Sequence, residues 1–298
     1  RRVAAGATSG SIDAFIGYSS TGPLDIEYDL DHASLATFRP LKNLDLWGFG
    51  RIRGSVKGEF KKVKFAAEGQ VRDFQMIGLP LADKADVSFV CDDLRTLDFH
   101  HFDGVLGASN FQGSAEVEIS ANTTMDVSVD FDDARVGDLI AIGGRQLPWV
   151  DGRISGRLRM VGDPSAPDGE IDAHIRDAEI MGEAFPSGRL RGWLDSGVVM
   201  IDELGLGRWS GEENLLVRGS VTLDWLANLE VTGTGFKLER LNRLGRMKLP
   251  IAGDLALDAV LQGQLLSPDP EGRLALRNTV YAGHAVPDST INFSTDER

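Results

Sequence analysis

The sequence predicts a mainly β chain, an elongated sheet built from repeats of roughly 100 residues that each carry one short amphipathic helix. Three observations predict it. Apolar and polar residues alternate with a period of two through most of the 298 residues. Turn residues, chiefly among 35 Gly and 11 Pro, recur at intervals of about 8–12 residues, as a meander requires. One unusual phrase is also written twice: LPWVDGRISGRLRMVGDPSAPDGEI at 147–171 and LPIAGDLALDAVLQGQLLSPDPEGRL at 249–274.

The alternation assigns faces. In RISGRLRM, Ile154, Gly156, Leu158 and Met160 fall on one side, and Arg153, Ser155, Arg157 and Arg159 on the other, because successive strand side chains point in opposite directions. EIDAHI adds Ile171, Ala173 and Ile175, and MDVSVDF adds Met125, Val127, Val129 and Phe131. NLLVRGSVTLD contributes Leu215, Val217, Gly219, Val221 and Leu223, and GDLALDAVLQG contributes Leu255, Leu257, Ala259 and Leu261. One wet and one apolar face is the mark of half-buried antiparallel strands. Before each Leu-Pro the period changes. KLERLNRLGRMK spaces Leu238, Leu241, Leu244 and Met247 by three, which predicts an amphipathic helix. DARVGDLIAIGGRQ and HASLATFRPLKNL hold the corresponding places earlier.

The repeat is tested by register. Leu147-Pro148 answers Leu249-Pro250, Gly162 answers Gly263, and Gly169 answers Gly272. A looser copy, LWGFGRIRGSVKGEFKKVKFAAEGQVRDF at 46–74, sets Gly50, Gly54 and Gly69 about one repeat before Gly152, Gly156 and Gly169. The chain therefore divides into 1–45, the end of a preceding repeat; 46–146 and 147–248, two full repeats; and 249–298, the start of a third. It reads as a piece of something longer.

Little in the sequence points to chemistry. Hydrophobic content of 42% with 26% charged residues fits a folded chain. A net charge of −14 opposes binding to nucleic acid or to anionic membrane surfaces. No apolar stretch reaches the ~18 residues of a membrane-spanning helix. Cys91, in VSFVC, reads as a buried thiol. There is no phosphate-cradling loop, nucleophile elbow or Cys-x-x-Cys pair. In LDFHHFDG, His100 and His101 are adjacent and should face opposite ways, with His101 beside Phe99 on the apolar side, so they do not share a metal ion. DFDDARVGD lacks the spacing of a calcium loop and reads as a solvated turn with Asp near a helix start. Arg153, Arg157 and Arg159 read as a solvated ladder, with a lipid head-group contact as the sharper alternative. The expectation is a non-enzyme without cofactor or metal.

A short helix, then L-P-x-x-x-G-x-(apolar)-x-G-x-(apolar), then G-x-x-x-x-P and G-x-(apolar), resembles the AsmA-like superfamily and its TamB-like periplasmic bridge proteins. The match is closest over 147–175 and 249–276 and looser over 46–74. The resemblance implies a sheet curled into a trough, a β-taco, in the periplasm. The full-length chain would be anchored in the inner membrane and meet an outer-membrane partner. Its groove would hold phospholipid acyl chains and conduct them between the membranes, supporting outer-membrane biogenesis. The residues expected to line that groove are Val127, Val129, Ile154, Leu158, Met160, Ile171, Ile175, Leu215, Val217, Val221, Leu255, Leu257 and Leu261. Two alternatives fit the same alternation: a structural or adhesive β-solenoid, and a periplasmic chaperone that assists outer-membrane protein assembly by edge pairing. Three Tyr and charged outward faces disfavour a transmembrane barrel.

Overall fold

Strand-forming alternation dominates the structure, a computed structural model that describes residues 9–17, 22–37, 45–59, 62–76, 79–92, 95–120, 122–164, 166–208, 212–222 and 224–295. Among the described residues, eighteen strands form one open antiparallel sheet. They are β1 (Gly10–Ile16), β2 (Pro23–Ser34), β3 (Trp47–Glu59), β4 (Lys62–Met76), β5 (Leu79–Asp92), β6 (Thr96–Leu106), β7 (Ser109–Glu118), β8 (Thr124–Arg135) and β9 (Val150–Asp163). There follow β10 (Ala166–Ile180), β11 (Glu183–Asp195), β12 (Val198–Arg208), β13 (Glu213–Thr222), β14 (Leu226–Lys237), β15 (Ile251–Gln264), β16 (Asp269–Tyr281), β17 (His284–Val286) and β18 (Ser289–Phe293). From β1 to β8 and from β10 to β16 each strand pairs with its successor, and β16 also pairs with β17 and β18.

The chain forms two compact units. The first comprises 1–134, 141–144 and 157–168, the second 135–140, 145–156 and 169–298. In the first, Leu46, Cys91, Leu97, Val117, Met125 and Val127 form a buried cluster. In the second, Val217, Ala227, Leu229 and Leu265 do so.

Strict alternation fails at one point in most even-numbered strands, and β5 carries a further register shift against β4 at Leu81. In β2, β4, β6, β12, β14 and β16, two residues stand opposite one on a partner strand, which is a β-bulge. In β8 and β10, Asp133 and Asp177 adopt the left-handed conformation, φ 53 and 50. The inward positions then step by three: Val71 to Phe74, Phe131 to Ala134, Ile175 to Ala178, Leu276 to Thr279. Asp73 and Asn278 are also left-handed, a region that Asp and Asn tolerate better than other non-Gly residues. Across from them, Gly48, Gly152 and Gly253 take φ of +143, +147 and +146, which L side chains rarely adopt. A Cβ on Gly253 would lie 2.8 Å from Thr279 Cα.

The helical segments are shorter than their periodicity predicts. Helix α1 spans Val136–Ile142 with Asp138 in its first turn, as the DFDDARVGD reading expects. The helix predicted over KLERLNRLGRMK is interrupted. A 3-10 turn covers Leu238–Arg240, Leu241 is extended at ψ 123, and α2 covers Asn242–Arg246. Leu238 is buried at 4% exposure while Met247 is 66% exposed, so the threefold spacing does not make one continuous stripe. Leu35–Thr37 forms another 3-10 turn, and the rest of that predicted helix, 38–44, lies outside the described residues. No helix among the described residues is long and apolar enough to cross a membrane.

Gly253→Ala forces a Cβ into a strained backbone and against the partner strand, and is expected to destabilise the fold by about 1–3 kcal/mol. Gly137→Ala in α1 meets nothing within 4 Å and should be neutral or stabilising by up to about 1 kcal/mol. Denaturant titration of both variants checks the contrast.

Candidate functional site

Antiparallel register converts alternation along each strand into rows across the sheet. In the second unit one row runs Ile175, Gly188, Leu206, Leu215, Gly233, Leu257, Leu274. The next runs Ala173, Leu190, Leu204, Val217, Val231, Ala259, Gly272. A third runs Ile171, Gly192, Ile201, Gly219, Leu229, Leu261, Pro270. No charged residue interrupts them. Val221 lies in a fourth row between Val199 and Ala227, and Leu255 faces Phe236 and Leu276.

The thirteen residues read from the sequence as groove lining therefore share one face within each unit where registers relate them. Val127, Ile154, Ile175 and Val217 are buried, and the other nine are half-buried. Val127 and Val129 belong to rows of the first unit, opposite Ala115 and Gly113. Met160 packs against the Leu97 cluster.

Aromatic filling of the first unit escaped the sequence reading. One row there runs Val56, Phe65, Cys91, Leu97, Val117, Met125. Phe89 and Phe99 meet at a 50° tilt with centroids 5.4 Å apart, and Phe102 and Phe111 meet edge-on at 6.3 Å. Phe102 and Phe111 also cover Gly113 and Gly104, where a Cβ would strike the rings. Large rings opposite glycines fill this face, and Leu97 and Val71 are 0% and 1% exposed. The second unit has aliphatic side chains and Gly in its rows. The signal lay in FVC, LDFHHFDG and SNF, where bulges disguise the inward spacing.

The reverse face is laced by exposed ion pairs. Arg51 donates to both oxygens of Asp29 at 3.0 and 2.6 Å. Arg157 grips Asp130, Arg159 grips Asp126 and Arg189 grips Asp172 in the same bidentate way. Arg191 pairs with Glu203, and Lys237 with Asp254. The hydrogen bond from the arginine holds Asp29, Asp126, Asp172 and Glu203 below the usual carboxylate range; Asn278, then Lys237, does so for Asp254. Arg157 and Arg159 are thus outward and exposed, as read, and each is paired with a carboxylate of the neighbouring strand.

His101 is a correction. It lies on the polar face, 57% exposed, with Nε2 2.9 Å from Asp103 Oδ2. His100 is on the same face, its Nδ1 3.2 Å from Asp98 Oδ1. The bulge at 99–101 turns both histidines outward, so adjacency did not send them to opposite sides. Each has its own carboxylate, and no group of three or more metal-ligating side chains occurs among the described residues. Cys91 is buried, as read.

No known protein family, curated protein or solved structure matches the chain.

Leu97→Ala opens a cavity in a sealed cluster and is expected to cost about 2–5 kcal/mol. Leu257→Ala should cost about 1 kcal/mol, since part of its surface stays in water; chemical denaturation separates the two. Acid provides another test. Carboxylates depressed in the folded state stabilise it above their unfolded pKa, and that contribution is lost as pH falls through the folded values. Melting temperature should therefore decline as pH is lowered below about 4, and Asp126→Asn should flatten that decline.

Proposed function

We propose that the chain is a segment of a periplasmic bridge-like protein whose apolar β-face holds phospholipid acyl chains and conducts them between membranes. The observation that carries this reading is the set of uninterrupted apolar rows in the second unit, backed by a face of paired charges. Such a face must be covered or offered to a ligand. Its lining residues Ile171, Leu215, Val221, Leu255, Leu257 and Leu261 remain half-buried. A lipid with two tails of about 15 methylenes loses ~20 kcal/mol or more on entering water, at ~0.8 kcal/mol per CH₂. A continuous apolar track lowers that barrier without a chemical step.

The repeat belongs to the same proposal. Strands β3, β9 and β15 begin at Trp47, Val150 and Ile251, and β4, β10 and β16 at Lys62, Ala166 and Asp269. The positive-φ glycines recur with them, pairing Gly48 in conformation with Gly152 and Gly253. On this reading Gly48 shares the role of Gly152 and Gly253. Repeats at 46–146 and 147–248 with a third opening at 249 fit this periodicity.

The sealed Phe-rich cluster of the first unit favours a second reading, a structural sheet whose apolar face is satisfied internally. Native mass spectrometry with lipid extraction separates the two. Under the transport reading, phospholipid co-purifies with the chain and is lost in Leu257→Asp and Leu158→Asp, while the strand signal in circular dichroism persists. A lipid-free protein that unfolds on the same substitutions is structural.

A further inference from the structure

One end of the second unit holds a buried group of charges that the apolar face does not explain. Arg208, at the end of β12, is 5% exposed and Glu213, at the start of β13, is fully buried. Arg208 NH1 lies 3.2 Å from Glu183 Oε2 and its NH2 donates to Arg240 O at 3.4 Å, with its guanidinium 5.5 Å over the Phe185 ring. Glu213 Oε1 accepts from Lys237 N at 3.3 Å and lies 3.5 Å from Arg240 NH1. Glu183 Oε2 also accepts from Asn242 N at 3.1 Å, and Asn242 Nδ2 donates to Gly182 O at 2.8 Å. Two carboxylates and one arginine thus hold the backbone of residues 237–242.

We propose that residues 238–246 are a charge-latched flap at this end of the second unit, released as one piece when the Glu213 charge is lost. Two observations support opening. Apolar burial holds the segment chiefly through one side chain: Leu238 is buried, Leu241 and Leu244 are half-buried, and Asn242, Gly245 and Arg246 are exposed. Segments with few buried apolar contacts open at low free-energy cost. The latch itself depends on charge. Glu213 Oε2 makes no hydrogen bond, and its nearest described cation, Arg208 Nε, is 3.6 Å away. Its Oε1 carries both the Lys237 N contact and the Arg240 contact, so a neutral side chain there weakens the hold on the flap backbone and removes the counter-ion of Arg240. Leu238 is the buried apolar side chain that departs with the flap, together with the half-buried Leu241 and Leu244. Phe185 and Phe236, in edge-on contact at 6.3 Å and only 3% and 7% exposed, lie beside the latch. Arg208 acts here as a positioning residue, since it links β11, β13 and the flap. The inference stands whether or not the apolar rows carry lipid.

Hydrogen exchange on the 298-residue chain tests it. In Glu213→Gln, the amides of Leu241, Asn242 and Gly245 should exchange at least about tenfold faster, with those of Val217 and Leu229 unchanged. Acceleration of all these amides together would overturn the proposal by making the cluster part of the cooperative core; no acceleration would overturn it as well. The double variant Arg208→Met, Glu213→Leu replaces the ions with apolar volume. It removes two of the three groups that hold 237–242 and should leave 238–246 exchanging at least as fast as in Glu213→Gln; slow exchange across the segment would show that charge is not what holds it.

Discussion

Everything in this sheet depends on register. Side chains alternate with a period of two, so a slip of one residue would carry a whole strand's apolar set to the wet face. The bulges govern that parity. At each one the chain spends an extra residue, usually Asp, Asn, His or a Gly pair-breaker, and the inward series resumes three positions later instead of two. The row through Phe236, Leu255 and Leu276 stays apolar because such a step in β14 separates Gly233 from Phe236.

The two faces meet different physical demands. On the polar side, arginine and carboxylate neighbours sit across adjacent strands, where cross-strand pairs contribute modestly and discourage wrong partners. On the apolar side the two units diverge. Phenylalanines opposite glycines complete the first unit's interior, with Phe111 over Gly104 and Phe102 over Gly113. Aliphatic residues and glycines fill the second unit's rows, and in both units buried residues alternate with half-buried ones. The same backbone plan is thus filled by aromatic side chains in one unit and by aliphatic ones in the other.

Most of the strand pattern was legible in the sequence, because alternation in RISGRLRM, EIDAHI and GDLALDAVLQG is a direct consequence of strand geometry. The faces of Leu215, Val217, Leu257 and Leu261 followed. His101 did not, since nothing in LDFHHFDG marks the position where two residues oppose one. The helix over 237–248 failed for a related reason. Its leucines repeat by three, yet carboxylates from β11 and β13 capture the backbone at Lys237 and Asn242 and a 3-10 turn with an extended Leu241 results. Tertiary contacts of that kind leave no trace in local periodicity. The Phe-rich lining of the first unit was hidden by the same bulges.

Cys91 occupies an informative place. It is the chain's single cysteine, 2% exposed, between Phe65 and Leu97 in the tightest row of the first unit. A thiol there is shielded from reagents while the row stays shut. The unaltered chain thus contains its own clock. The pace at which it consumes a thiol-specific label, compared with that of a denatured chain, reports how often the Phe-lined interior breathes.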